Sequence, residues 1–276
     1  HGRSFWILDD LTPLHQMSDE MAKSDGYLFQ PRHAYRMRGG SFDRPGLALG
    51  KNPLNGAAIY YYMKNKPKEK DTLKIEILDE QGILIKSFVH KKEEKKEGEG
   101  TAQPSGDESP KVPADSGMNR FVWNLRYPDA TAVPGGIMWG GTTRGPVALP
   151  GKYQARLKVG EKSLTQGFEL KKDPRLQTTA EEFKEQFDFL MKIRDKVSTA
   201  HEAVNTIRDI RKQTEDLVKR LEKHPSKSVV ADSAKILNDQ LKAVEEEIIQ
   251  VKLKSSQDVL NYPIKLNNKI AALAGV

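Results

Sequence analysis

The chain contains no cysteine. That excludes disulfide frameworks, thiolate metal sites and cysteine nucleophiles, and it leaves the compartment open, because a cysteine-free protein folds in oxidising or reducing surroundings alike. Aromatic residues make up only 7%, so the core has to be assembled economically from a few periodic segments. No run approaches the roughly 18 consecutive apolar residues of a membrane helix, and the opening HGRSFWILDD lacks the basic-then-apolar pattern of a signal peptide. Catalytic signatures are missing too: there is no HExxH, no G-x-S-x-G elbow, no Walker loop, no G-x-G-x-x-G after a strand and no carboxylate-rich metal loop. The run Gly140-Gly141-Thr142-Thr143-Arg144-Gly145 is merely glycine-rich, N-glycosylation sequons are absent, and Asp9 and Asp10 read as a turn or cap because adjacent acids on a strand point to opposite faces. His1, His15, His33, His90, His201 and His224 are scattered, and His201, on a long helical segment, reads as a packing or surface residue rather than a ligand. No catalytic, cofactor-binding or metal-ligating residue is assigned.

What is present is charge. In 276 residues, 45 Lys and Arg stand against 38 Asp and Glu, a formal balance of +7. A basic balance invites a nucleic-acid reading, so its distribution decides. In EEFKEQFDFLMKIRDKV and KAVEEEIIQVKLK the two signs alternate along helical faces, and no basic stripe is interleaved with aromatics. Solvated helices look like this, and nucleic acid is not an expected partner.

Three regions follow along the chain. Residues 1–50 read as a connector, with a lone strand at Ser4 to Leu8 that cannot bury both faces by itself and a stretch rich in Pro, Gly and Arg. Residues 51–173 hold six candidate strands, AAIYYYM, TLKIEIL, ILIKSFV, NRFVWNL, YQARLKV and LTQGFEL. Alternation in the second puts Leu73, Ile75 and Ile77 on one face and Lys74 and Glu76 on the other, and the turn Asp79-Glu80-Gln81-Gly82 predicts a hairpin to the third. Strands in series without helices between them predict an antiparallel β-sandwich. Residues 91–117 interrupt it with five lysines and seven acids and hardly a large apolar side chain, so a mobile loop is expected. A second interruption, YPDATAVPGGIMWGGTTRGPVALPG, predicts an ordered excursion packed on the sandwich.

Residues 174–276 switch to a helical period. Thr179 and Glu182 form a capping box, and apolar residues from Phe183 to Leu221 recur mostly at three- and four-residue steps over about forty residues. HPSKS breaks the pattern. A second helix carries Val230, Ala234, Leu237, Leu241, Val244, Ile248 and Val251, and Asn261-Tyr262-Pro263 opens a third. The fold class is therefore α+β: an antiparallel sandwich followed by a long antiparallel helical hairpin and an incomplete bundle.

Two tryptophans carry opposite readings. Trp123 shares a strand face with Phe121 and Leu125 and reads as core. Trp139 sits in a glycine-rich loop beside Met138, and either docks onto the sandwich or, with Tyr127 and Arg144, forms the candidate contact for a partner side chain or a sugar ring.

The phrases HGRSFWILDDLTPL, NPLNGAAIYYYM, GMNRFVWNLRYP, WGGTTRGPVALPGKYQARLKV, KKDPR, QFDFLMKIRDKVSTAHEAVNTIRDIRKQ and LNYPIKLNNKIAALAGV resemble the C-terminal region of bacterial secreted proteins of the sortilin-like, BNR-repeat β-propeller family, often described as glycosyl hydrolase or exo-sialidase-like. The middle also resembles the immunoglobulin-like domain of flagellar hook-capping proteins. The resemblance implies a secreted, periplasmic or cell-surface location and a non-catalytic structural or interaction module, whose partner is the β-propeller portion of the same parent. Any glycan chemistry would belong to that propeller, so no catalytic residue carries over. The alternative implied is a glycan-binding accessory module of a carbohydrate-active enzyme, or part of a glycoside hydrolase. No cofactor is expected.

Overall fold

The computed structural model describes residues 10–37, 55–68, 71–90 and 110–275. The architecture is mixed α/β, with an antiparallel sheet, a mixed sheet and a long helix. The chain divides into two compact units, His1–Tyr127 with Val147–Phe183 and Pro128–Pro146 with Lys184–Val276.

The first unit opens with two short helices, α1 (Thr12–His15) and α2 (Asp19–Lys23). Ser18 caps α2, its Oγ accepting from the Met21 N–H at 3.2 Å. Eight strands follow: β1 (Gly26–Leu28), β2 (Ala34–Arg36), β3 (Ala57–Met63), β4 (Leu73–Asp79), β5 (Leu84–Val89), β6 (Gly117–Trp123), β7 (Gly151–Val159) and β8 (Lys162–Lys172). They form a three-stranded sheet in the order β1-β3-β6 and a five-stranded sheet in the order β2-β8-β7-β4-β5. The six strand segments read from the sequence are all strands. β3 alternates as its aromatic and aliphatic run demands, with Ala57, Ile59, Tyr61 and Met63 buried while Ala58, Tyr60 and Tyr62 are half-buried.

One apolar cluster draws on both sheets, with Ile59, Tyr61, Phe121 and Trp123 from the smaller and Ile75, Ile77, Leu157 and Phe168 from the larger. Phe88 and Phe121 stand 4.8 Å apart between ring centroids and Trp123 and Tyr153 5.6 Å, the tilted contacts that aromatic quadrupoles favour. Trp123 is fully buried and its indole N–H donates to the Arg126 carbonyl at 3.2 Å. The β4–β5 turn closes as its residues predict: Asp79 Oδ1 accepts from the Ile83 N–H at 2.8 Å, and Gly82 takes φ of 82°.

Two expectations are corrected in this unit. The connector contains strands β1 and β2, and β2 pairs with β8 in parallel, so the larger sheet is mixed rather than antiparallel. A three-residue strand between Pro31 and the Arg-rich stretch has no periodicity to read; its pairing is set by the sheet edge it meets. The segment expected to be mobile through residue 117 is anchored from Val112 onward. Val112 is buried in the core cluster, its carbonyl meets His90 Nδ1 at 2.7 Å, and the Pro113 carbonyl accepts from the Tyr61 hydroxyl. The lone strand expected at residues 4–8, Asp9, and residues 91–109 lie outside the described residues.

The outer face of the larger sheet carries a buried carboxylate. Glu76 is held by Arg156 (Nε and Nη2, both 2.7 Å), Lys74 (3.2 Å) and Lys158 (3.3 Å). Burial pushes its pKa upward, but the hydrogen bonds from Arg156, Lys74 and Lys158 together outweigh that and hold it below the ordinary glutamate value. After β8 the chain turns through Asp173-Pro174-Arg175. Hydrogen bonds from the Arg175 guanidinium and from its N–H lower the Asp173 carboxyl to about 2.

Three helices dominate the second unit: α3 (Ala180–Arg220), α4 (Lys227–Ile248) and α5 (Leu266–Ala272), with a 3₁₀ turn at Ser256–Leu260 between the last two. The capping box forms at the start of α3, Glu182 N–H to Thr179 Oγ1 at 3.2 Å and Thr179 N–H to Glu182 Oε2 at 2.8 Å. Glu245 of α4 is buried between two arginines of α3, Arg208 Nε at 2.7 Å and Arg211 Nη1 at 2.9 Å, and Thr214 donates to Asn238 Oδ1 at 2.9 Å. Of the excursion at residues 127–151, expected to pack on the strands, Tyr127, Val147 and Ala148 join the strand core, whereas residues 128–146 belong to this unit instead. Their apolar side chains answer to helical partners: Ala130 and Met138 pack with Ile193, Val197 and Ala271, and Val133 with Val204 and Ile249.

Candidate functional site

The loop at residues 128–146 is read by one stripe of α3. Arg194, Ser198, His201, Asn205 and Arg208 follow one another at steps of four, three, four and three, which puts them on one side of a helix. Each meets the loop backbone. Arg194 Nη1 donates to the Pro128 carbonyl at 3.0 Å, Ser198 Oγ accepts from the Thr131 N–H at 3.1 Å, Asn205 Nδ2 donates to the Ala132 carbonyl at 2.9 Å and Arg208 Nη1 to the Pro134 carbonyl at 2.8 Å. His201 is buried; its Nδ1 lies 2.6 Å from the Thr131 carbonyl and its Nε2 3.0 Å from Asn267 Nδ2. The Thr131 carbonyl and the Asn267 amide thus engage both ring nitrogens of His201. Satisfied on both nitrogens, His201 serves as a polar lock, in keeping with its reading as a packing residue.

The far limb of the loop is clamped by α5. Asn268, buried, accepts from the Trp139 N–H at 2.7 Å through Oδ1 and donates through Nδ2 to the Trp139 carbonyl and to the Gly140 carbonyl, the latter at 2.9 Å. Gly140 and Gly141 adopt φ of 64° and 67°, a region side chains disfavour. At Gly141 a Cβ would stand 2.5 Å from the Ala271 carbonyl carbon, so its absence is what lets the loop touch the α5 backbone. The base of the loop closes on itself through the Ala130 N–H to the Thr143 carbonyl at 2.7 Å and the Gly145 N–H to Asp129 Oδ1 at 2.8 Å.

The result is a fixed backbone carrying a free indole. Trp139 is 51% exposed although its own N–H and C=O are both bonded to Asn268. Beside it Met138 is half-buried against the helical cluster. Of the three candidate contact residues, Trp139 and Arg144 lie in this loop. Tyr127 falls in the first unit, packed on its core, where burial, and then the Asp79 carboxylate, raise its pKa. The Asn267-Asn268 pair and the α3 stripe were not singled out from the sequence, although the 4-3-4-3 spacing of polar residues along one edge of an apolar helix face was a signal for them.

Elsewhere in the second unit a groove of about 620 Å³ runs between the end of α4 and α5. Two of its cations have partners within it: Lys265 Nζ lies 3.4 Å from Glu247, and Lys252 Nζ sits 5.7 Å from the centroid of the Tyr262 ring. Among the described residues no three His, Asp or Glu side chains gather as a metal site, and no helix is long and apolar enough to cross a membrane. Comparison with known proteins gives no matching family model, curated protein or solved structure.

Proposed function

We propose that this chain is a non-catalytic interaction module in which Trp139 is the contact residue. The observation that carries the reading is the pairing of a half-exposed indole with a backbone pinned by Asn268 and by the close approach at Gly141. Such a side chain presents a large apolar area with little conformational entropy left to lose on binding, which is what a contact residue needs. An exposed apolar stripe on α4, Val229, Ile236 and Val244, adds a second surface of the same character. In this reading the two sheets form an immunoglobulin-like sandwich around their shared core, and α3 and α4, cross-linked through Glu245 and Asn238, form a helical hairpin. The propeller portion of a secreted parent is the partner implied by the resemblance of HGRSFWILDDLTPL and the phrases that follow it.

The test is native mass spectrometry of the protein isolated from its natural source, beside the Trp139→Ala variant expressed in the same host. The expected result is a complex with a larger chain that is lost in the variant, while the melting temperature stays within about 2 °C, as for a surface substitution. A complex that survives Trp139→Ala, or a variant that unfolds because the indole was packing, refutes the assignment.

A further inference from the structure

Cross-strand register places two rows of side chains on the outer face of the larger sheet. Ser87, Glu76, Arg156 and Thr165 are successive partners across β5, β4, β7 and β8, and Val89, Lys74, Lys158 and Ser163 form the row beside them. Directly opposed residues share a face, so three cations and three hydroxyls surround a single carboxylate. Glu76 is buried and touches all three cations at 2.7 to 3.3 Å, yet it neutralises only one charge. Three cations converging on one carboxylate repel one another, and among the described residues about two positive charges remain uncompensated there. The cationic side chains are themselves about 30% exposed, and Ser87, Ser163 and Thr165 are exposed, their hydroxyls with no hydrogen-bond partner among the described residues.

We propose that this face of the sheet binds an acidic polysaccharide, with Lys74, Arg156 and Lys158 meeting its carboxylate or sulfate groups and the flanking hydroxyls meeting sugar hydroxyls. The partial exposure of the three cations is the argument for a chain rather than a lone ion. A free oxyanion over part-exposed cations gains little against water and salt. A polymer that repeats the charge makes the second contact intramolecular and accumulates affinity. Hydroxyls beside the cations, at the strand spacing of about 4.8 Å, suit the alternation of acid and hydroxyl along a sugar chain.

The experiment measures binding of the full chain to polygalacturonate in low salt, with a neutral glucan and free galacturonate as comparison probes. Polygalacturonate is expected to bind, free galacturonate at least about a hundredfold more weakly, and the neutral glucan not at all. Lys74→Gln with Lys158→Gln is expected to weaken binding about tenfold, whereas Lys196→Gln with Lys212→Gln, which removes the same charge from α3, changes it less than about twofold. Glu76→Gln raises the local charge and is expected to tighten binding while lowering the melting temperature, a split that a purely structural ion network does not produce. Absence of polygalacturonate binding, equal binding of the neutral glucan, tight binding of free galacturonate, or equal losses in the two lysine pairs overturns the proposal. Trp139 plays no part in it, so failure here and failure of the contact residue are separate results.

Discussion

Replacing Gly140 and Gly141 by alanine, one at a time, isolates what holds the loop to α5. The two glycines share nearly the same backbone, φ of 64° and 67°, so the strain of placing an L side chain in the left-handed region is common to both, about 1–2 kcal/mol. They differ in what a Cβ meets. At Gly140 nothing lies within 4 Å, whereas at Gly141 the new carbon stands 2.5 Å from Ala271 C, 2.6 Å from Ala272 N and 2.7 Å from Ala271 O. Those are backbone atoms of a helix whose Ala271 is fully buried against Ile193 and Val197, so no flexible side chain can swing away. Moving α5 outward loosens that contact and stretches the Asn268 bonds, an overpacking penalty of about 1–3 kcal/mol on top of the shared strain. Gly140→Ala is thus expected to lose about 1–2 kcal/mol and Gly141→Ala about 2–5 kcal/mol, roughly 5 °C against roughly 10 °C in melting temperature. Urea denaturation followed by far-UV circular dichroism gives both values, and amide exchange at Trp139 to Gly141 shows where the loss falls. Equal destabilisation of the two variants, within about 0.5 kcal/mol, refutes the close approach as the reason for the second glycine.

Asn268→Ala removes three bonds and leaves the Trp139 N–H and two carbonyls without their partner, an expected loss of about 2–3 kcal/mol by urea denaturation. Asn268→Asp is expected to fall further, because its second carboxylate oxygen faces the same two carbonyls; a milder effect than alanine contradicts the assigned orientation. Glu76 is held below its ordinary value in the folded state, so its ion pairs stabilise fully above that value and their contribution is lost as pH falls through the folded pKa. Glu76→Gln is therefore expected to destabilise by about 2 kcal/mol at pH 7, with the gap to the parent protein closing as pH falls below the ordinary glutamate range. A gap independent of pH assigns the effect to packing.

Most of the strand set was legible because alternation is a local signal. In β3 the buried residues are the ones the period of two selects, in β4 that period picks out Leu73, Ile75 and Ile77 but not the buried Glu76 and Leu78, and the Asp79 to Gly82 turn carried its own hydrogen-bonding side chain and its own glycine. Helices α3 and α4 were legible through capping chemistry at Thr179 and through three- and four-residue steps. What escaped was whatever depends on a distant partner. Strand β2 has three residues and takes its direction from β8, and Val112, a lone apolar residue beyond the charged stretch, is buried only because the core below it has room. Glu76 was read onto the wet face, and it lies there by register, yet it is buried because three long cationic side chains close over it.

The loop at residues 128–146 shows the same limit at the site. Sequence order places it between β6 and β7, and that neighbourhood suggested that it packs on the strands. Its composition, six glycines and four prolines over residues 127–151, describes a backbone with few side chains of its own to bury. Such a backbone is fixed by whichever surface offers donors and acceptors at the right intervals, because buried carbonyls and amides must be satisfied. The strands spend their own on the sheets. Helix α3 instead offers Arg194, Ser198, His201, Asn205 and Arg208 in a row, and α5 offers Asn267 and Asn268. Every one of these polar groups is used on the loop or on its lock, while Trp139, the largest side chain within it, is left half in solvent. Packing alone would have buried the indole and left the backbone loose; the inverse arrangement is the one that presents a rigid aromatic surface to a partner.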